Sequence, residues 1–143
     1  MNEKVFRTLE YNKILDMLKD IAVSPMGKDK AFNLKPMENI NDIISAQKET
    51  SDAESMILQK GNISLGGLRE IRPQLKRVTV GGTLSIEELL NIGEFLYVCR
   101  KVKNYAKTDN KNQSFESIQQ YFDIIELLPY LEKEITRCII SET

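Results

Sequence analysis

The chain has 143 residues, with 20 basic and 21 acidic side chains and a formal net charge of −1 at neutral pH. Its length suits one domain, and 41% hydrophobic residues with 29% charged residues exclude a disordered chain. Because the chain has no histidine, Ser–His and Cys–His nucleophilic sites, histidine general bases and most zinc sites are excluded.

The composition further predicts a cytoplasmic protein without a membrane anchor. The apolar runs are only a few residues long, which is too short for a transmembrane helix. The first residues are polar and acidic, unlike those of a signal peptide. Without a secretory signal, we expect the two cysteines, Cys99 and Cys138, to be reduced and half-buried rather than joined in a disulfide.

Helical periodicity dominates the first sixty residues. Apolar residues between 5 and 22 recur at helical spacing, which predicts a buried helical stripe. Ser24 followed by Pro25 has the order of an N-cap and a first helical residue, so a short helix should begin there. A long helix should then extend over residues 39–58, with Gly61 as its stop.

The stretch 63–90 reads ISLGGLREIRPQLKRVTVGGTLSIEELL and contains four of the chain's seven glycines. The two glycine pairs suit turns, because glycine tolerates positive φ. Between the pairs, apolar and basic residues lie on separate helical faces, which predicts a short helix with Pro73 at its first position. Ser85 and Glu88, three residues apart before an apolar run, are typical of a capping box.

The second half of the chain is also predicted to be helical. A long helix over 85–106 has a wide apolar face, which implies packing against several neighbours. Polar residues 108–113 predict an exposed loop. Ser114 can then cap a third helix that Pro129 ends, and a last helix should run from 130 to about 140.

No strand-like alternation persists anywhere in the chain, so the predicted fold class is all-α. We expect a multi-helix bundle of about six helices, in which residues 1–143 form a single helical domain.

Charge is unevenly distributed along the chain. Residues 60–111 carry 10 basic and 5 acidic side chains, whereas residues 112–143 carry 2 and 6. Such asymmetry is typical of a surface that faces a polyanion, although the two regions could instead neutralise each other or form solvated faces. The candidate nucleic-acid-facing residues are Arg69, Arg72, Lys76, Arg77, Arg100, Lys101, Lys103 and Lys107. No aromatic residue interrupts the first four, so base stacking is not indicated there.

No complete catalytic, cofactor or metal site can be assembled from the sequence. Gly61 and Gly66 have the glycine spacing of a phosphate-binding loop, but the lysine and the Ser or Thr that would contact phosphate and magnesium are missing. Glu87 and Glu88 are explained by their position in the first turn of a helix. We therefore expect no ATP binding, no cofactor and no enzymatic activity in this chain.

Four stretches carry a resemblance to one family. The block SLGGLREIRPQLKRVTVGGTLSIEELLNIG closely resembles a segment near the start of the bacterial MutS-two proteins, the MutS paralogues without a mismatch-recognition domain. The stretches MNEKVFRTLEYNKILDML and SPMGKDKAFNLKPM resemble the segment before it. LPYLEKEITRCI resembles the point where the first helical region of these proteins continues into long lever helices. The resemblance implies an amino-terminal fragment of a longer protein.

The resemblance also implies a function. In this family the core region links lever and clamp regions that embrace DNA to an ATPase, within a homodimer. The family is associated with mismatch-repair-related DNA processing, suppression of recombination and the splitting of collided ribosomes, so DNA or ribosomal RNA is the expected partner. ATP, magnesium and nuclease activity would belong to domains absent from this chain. The alternative is a free-standing helical adaptor that binds a protein through an exposed apolar face.

Exposed apolar surface also predicts self-association. We expect the stripe Phe115, Phe122 and Ile125 and the helix over 130–140 to be exposed. A dimer with two-fold symmetry, built mainly from residues 85–140, would cover such a surface at high concentration.

Overall fold

The computed structural model describes residues 3–107 and 115–140, and every regular element in these residues is a helix. The all-α prediction is therefore confirmed. The helices are α1 Glu3–Thr8, α2 Tyr11–Ile21, α3 Pro25–Phe32, α4 Ile40–Lys60, α5 Arg72–Thr79, α6 Ile86–Ala106, α7 Glu116–Asp123 and α8 Pro129–Ile140. The predicted loop 108–113 and the predicted cap Ser114 lie outside the described residues.

The described residues form more helices than the expected number of about six. One reason is a break at Glu10, whose φ of 52° places it in the left-handed region and divides the first predicted helical segment into α1 and α2. Stacked rings of Phe6 and Tyr11, with centroids 5.2 Å apart, hold the two short helices together across this break. The apolar periodicity alone did not reveal it.

The predicted helix starts are confirmed in their hydrogen bonds. The Ser24 hydroxyl accepts from the backbone N–H of Gly27 at 3.1 Å and caps α3. Asn39 caps α4 by accepting from the N–H of Asn41 at 2.8 Å. Each cap satisfies an amide that the first turn of a helix leaves without a partner.

Helix α6 occupies the middle of the second half of the fold, where it packs against both α7 and α8. Helix α4 also packs against α7, and α2 packs against both α1 and α3. The several neighbours expected for the wide apolar face of α6 are therefore present. Ile92, Val98 and Ala106 are its buried residues.

The tightest core lies between α4 and α7. Met56 is 2% exposed and contacts the buried residues Phe115 and Ile118, with Phe122 packed at the margin. The expectation that Phe115 and Phe122 form an exposed stripe is therefore wrong. Helix α7 covers an apolar surface on the carboxyl-terminal half of α4. Because the two segments lie some sixty residues apart in the chain, the sequence did not reveal this contact.

The buried stripe predicted on α2 is also largely wrong. Leu15 is 7% exposed, but Ile14 and Ile21 on the same helix remain 57% and 77% exposed. Helix α2 packs on α1 and α3, which cover only one part of its apolar stripe. Amphipathic periodicity identifies which residues favour burial but does not provide the neighbour that buries them.

Two helix ends exchange hydrogen bonds. The Lys60 ammonium, at the end of α4, donates to the carbonyl oxygens of Tyr105 and Lys107 at 2.9 and 2.8 Å. In return, the Tyr105 hydroxyl donates to the carbonyl oxygen of Gly61 at 2.7 Å. The last carbonyls of a helix have no intrahelical partner, so these contacts join α4 and α6 where both need donors.

The molecule exposes a large surface for its size. Its accessible surface is 11242 Å², whereas a compact monomer of 16.4 kDa exposes about 7,500 Å². Cys99 and Cys138 are not joined in a disulfide; Cys99 is half-buried as expected, but Cys138 is exposed. Burial raises the pKa of the Cys99 thiol, which disfavours its reactive thiolate form.

Candidate nucleic-acid interface

The eight predicted basic residues lie in two separate groups. The α5 group consists of Arg69, Arg72, Lys76 and Arg77, on α5 and the loop before it. The α6 group consists of Arg100, Lys101, Lys103 and Lys107, along the last two turns of α6 and the residue that follows. Some of these side chains already contact oxygen atoms of the protein, whereas others do not.

Two glycines frame the α5 group. Gly67 has a φ of 92° and Gly81 a φ of 82°, so the chain turns sharply before and after the short helix, as the glycine pairs predicted. Pro73 lies in the first turn, where its missing N–H has no cost. Arg72 and Lys76 are four residues apart and therefore share one face of α5.

Exposure and pairing differ within the α5 group. The Arg72 side chain is 72% exposed and contacts the carboxylate of Glu70 at 3.2 Å, a surface ion pair of small energetic value. Arg69 and Lys76 are exposed, and neither makes an ion pair with another residue of the described part of the chain. Their charges are thus available to a ligand.

Arg77 has a structural role. Its guanidinium donates to the carboxylate of Glu88, which also accepts from the backbone N–H of Ser85 at 2.9 Å. The Ser85 hydroxyl accepts from the N–H of Glu88 at 3.3 Å, so the predicted capping box is confirmed. The N–H of Ser85 and then Arg77 hold the pKa of the Glu88 carboxyl below its usual range. Arg77 thereby joins α5 to the start of α6.

Arg100 pairs with a residue from the acidic end of the chain. Its Nε and Nη2 atoms donate to both carboxylate oxygens of Glu132 on α8, at distances between 2.9 and 3.2 Å. These hydrogen bonds raise the pKa of Arg100. A basic residue of the region 60–111 is therefore neutralised by an acidic residue of the region 112–143. This mutual neutralisation was one of the alternatives to a surface that faces a polyanion.

The remaining residues of the α6 group differ from one another. The Lys103 ammonium donates to the carbonyl oxygens of Phe122 and Asp123, at 2.8 and 3.1 Å, and so caps the end of α7. Lys101 is exposed, with its ammonium 4.6 Å from the centre of the Tyr97 ring. Lys107 is exposed, and its ammonium forms no ion pair within residues 3–107 and 115–140.

The structure therefore divides the eight predicted residues. Arg72, Arg77, Arg100 and Lys103 contact carboxylate or carbonyl oxygens of the protein, whereas Arg69, Lys76, Lys101 and Lys107 present exposed charges. The sequence-based choice of residues did not include Tyr97, an exposed aromatic side chain beside the α6 group. Its spacing of three and four residues from Arg100 and Lys101 was the signal that could have found it.

Among the described helices, none is both long and apolar enough to cross a membrane. No family model matches the chain. Individual proteins called Endonuclease MutS2 do match it over essentially its whole length.

The protein from Alkaliphilus oremlandii is 41% identical over 143 residues, which is 100% of this chain. The protein from Lachnoclostridium phytofermentans is 38% identical over 99% of the chain, and that from Alkaliphilus metalliredigens is 34% identical over 100%. The chain spans 18% of the length of each of these relatives. Similarity of this extent, across all the helices described above, shows that the chain belongs to the MutS2 family.

Proposed function

We propose that this chain is the non-catalytic amino-terminal core and lever part of a cytoplasmic, homodimeric, DNA-binding ATPase and endonuclease, and that it contacts the nucleic-acid backbone itself. ATP, magnesium and the nuclease reaction belong to other domains of the whole protein. In this proposal, Arg69, Lys76, Lys101 and Lys107 bind phosphate groups of DNA or ribosomal RNA. Arg72 adds to them, because its surface pair with Glu70 is weak.

The observation that carries the proposal is the presence of exposed cations without carboxylate partners in the described part of the chain. Binding to nucleic acids gains most of its affinity from lysine and arginine side chains that neutralise phosphates and release counterions. A cation that is already paired with a carboxylate contributes little to this process. The relatives are named as endonucleases, and an endonuclease must contact nucleic acid.

Phosphate binding by these residues should be insensitive to base sequence and sensitive to salt. The α5 group contains only charged contacts, which position a nucleic acid but do not identify its bases. The chain would then help to hold a nucleic acid for chemistry performed elsewhere in the whole protein. This role agrees with the expectation that the chain itself is not an enzyme.

The test replaces the four exposed cations by glutamine: Arg69→Gln, Lys76→Gln, Lys101→Gln and Lys107→Gln. The matched control removes the same number of charges from exposed lysines outside both groups, none of which makes an ion pair in the described part of the chain: Lys28→Gln, Lys30→Gln, Lys35→Gln and Lys48→Gln. Fluorescence anisotropy with a labelled DNA duplex is measured over a series of salt concentrations. We expect only the first variant to bind weakly, with a salt-dependence slope smaller by about 0.9 for each lost contact. Equal loss in both variants, or no binding by the unchanged protein at low salt, would refute the proposal.

A second candidate function is a free-standing helical adaptor that binds another protein. The large apolar side chains that remain exposed on α2 and between α7 and α8 favour it, since monomers rarely leave large contiguous apolar patches uncovered. The two functions differ in what the gene encodes after Thr143. A continuing reading frame with a nucleotide-binding loop supports the first proposal, and a stop codon supports the adaptor.

A further inference from the structure

A groove of about 390 Å³ lies between α6 and α8, within the range typical of small-molecule sites. Leu90, Tyr97 and Ile135 provide most of its apolar wall. Gly93 forms part of its floor, and a Cβ atom at this position would lie 3.1 Å from Cγ2 of Ile135. The glycine therefore permits the close approach of α8 that shapes the groove.

An aromatic ring and two cations meet at one edge of this groove. Tyr97 is 41% exposed, the Lys101 ammonium lies 4.6 Å from its ring centre, and Arg100 Cζ lies 5.2 Å from it. Arg100 is held by both oxygens of Glu132, whereas Lys101 is exposed and can leave the ring. An exposed aromatic ring beside mobile positive charge is the combination with which proteins bind unpaired nucleotides.

We propose that the groove between α6 and α8 is a subsite for one unpaired nucleobase, with Tyr97 as the stacking residue and Lys101 as the contact to the adjoining phosphate. This inference rests on the proposed nucleic-acid function. It adds that this one groove takes a base from a single-stranded segment, while the exposed cations can still bind the phosphates of a duplex. A base within a duplex cannot enter the groove, because both of its faces are covered by neighbouring bases.

The polar lining of the groove indicates which bases fit. Asn91, Glu94, Glu132 and Thr136 line it. The Glu132 carboxylate is already held by Arg100, whereas the Glu94 carboxylate can accept hydrogen bonds from a base but not donate them. Adenine, cytosine and guanine offer an exocyclic amino group to such an acceptor, whereas thymine and uracil have none and offer only the N3–H between two carbonyl oxygens. Glu94 also packs against Gly67, two residues before Arg69, so the groove adjoins the α5 group and a bound strand can continue towards it.

The test compares the binding of labelled single strands and of a duplex by the 143-residue chain and its variants. Tyr97→Leu keeps apolar bulk but removes the aromatic ring, and we expect at least a fivefold loss of affinity for an oligodeoxyadenosine strand. Affinity for the duplex should stay within twofold. Tyr97→Phe should recover most of the single-strand affinity. Tyr130→Leu is the matched control, because Tyr130 is exposed but does not line the groove, and it should have no effect.

The base preference gives an independent readout. The unchanged protein should bind oligodeoxyadenosine more tightly than oligodeoxythymidine, and Glu94→Gln should reduce this preference, because an amide can also donate. The same measurement with an RNA oligoadenosine compares the two sources of an unpaired base, DNA and RNA. If Tyr97→Leu lowers the affinity for both strands equally, the contact is made to the base and not to the sugar.

The outcomes separate the subsite from the general proposal. If Tyr97→Leu binds single strands as the unchanged protein does, while the quadruple glutamine variant loses binding, the subsite is wrong and phosphate binding stands. If the unchanged protein binds neither strands nor duplex at low salt, the proposed function and the subsite are both wrong.

Discussion

Ser85 shows how one residue determines where a long helix begins. Its hydroxyl accepts from the N–H of Glu88, and no other side chain of the capping box can replace this acceptor. We expect Ser85→Ala to lower the free energy of unfolding by about 1 kcal/mol, the usual effect of losing an N-cap. Chemical denaturation measures it. Ser55→Ala, in the exposed middle of α4, is the control and should change stability little; an equal effect of both substitutions would contradict the capping role.

Asp52 links α4 to the start of α7 through Ser117. Its carboxylate accepts from the Ser117 hydroxyl at 2.6 Å and from the Ser117 backbone N–H at 3.2 Å. The hydroxyl and then the N–H hold the pKa of Asp52 below its usual range. Because the unfolded chain takes up the proton more readily, the stabilisation present at neutral pH should be lost as the pH falls below about 4.

Unfolding by urea at a series of pH values tests this contribution. Asp52→Asn should be less stable than the unchanged protein at neutral pH, and the two should converge in acid as the aspartate becomes protonated. Glu54→Gln, an exposed carboxylate on the same helix, is the control and should leave the pH dependence nearly unchanged. A constant difference between Asp52→Asn and the unchanged protein at every pH would show that the charge of Asp52 does not matter.

At the scale of elements, α4 contains two apolar residues with opposite environments. Met56 is 2% exposed against α7, whereas Leu58, two residues later, is 79% exposed. Met56→Ala should destabilise the protein by about 2–5 kcal/mol, because it leaves a cavity in the core. Leu58→Ala should change the free energy of unfolding by no more than about 0.5 kcal/mol. Comparable effects in thermal or denaturant unfolding would mean that α7 does not pack on this face of α4.

For the whole molecule, the excess of exposed surface predicts self-association. The connection between α7 and α8 exposes Ile124 and Leu128, and the first turn of α8 exposes Tyr130. These residues replace the buried Phe115 and the half-buried Phe122 as the candidates for a contact surface. We predict that a dimer, formed mainly by residues 85–140, appears at high concentration and closes with two-fold symmetry.

Light scattering at several concentrations measures this dimer. A double variant, Ile124→Ser with Tyr130→Ser, should shift the equilibrium towards monomer. The control carries Ile14→Ser and Ile21→Ser on α2, which are also exposed but lie outside the predicted surface. A molecular mass of one chain at every concentration, or an equal effect of the control, would contradict the prediction.

The candidate site was only partly predictable. The sequence marks eight basic residues as candidates, since charge and helical position are local properties. It could not separate exposed charges such as Lys76 from paired ones such as Arg100, because Glu132 lies 32 residues away and meets Arg100 only when α8 packs on α6. The groove beside Tyr97 also forms only when α8 packs on α6, so the sequence alone could not predict it.

The sequence by itself determined the helical class, the caps at Ser24 and Ser85 and the glycine turns around α5, because these depend on residues within one or two turns of each other. Only the tertiary structure decided which apolar stripe is buried and which charge is free. Burial requires a neighbouring element, and an ion pair requires a partner within about 4 Å. Both conditions join residues that are far apart in the chain, so periodicity marks the candidates and packing selects among them.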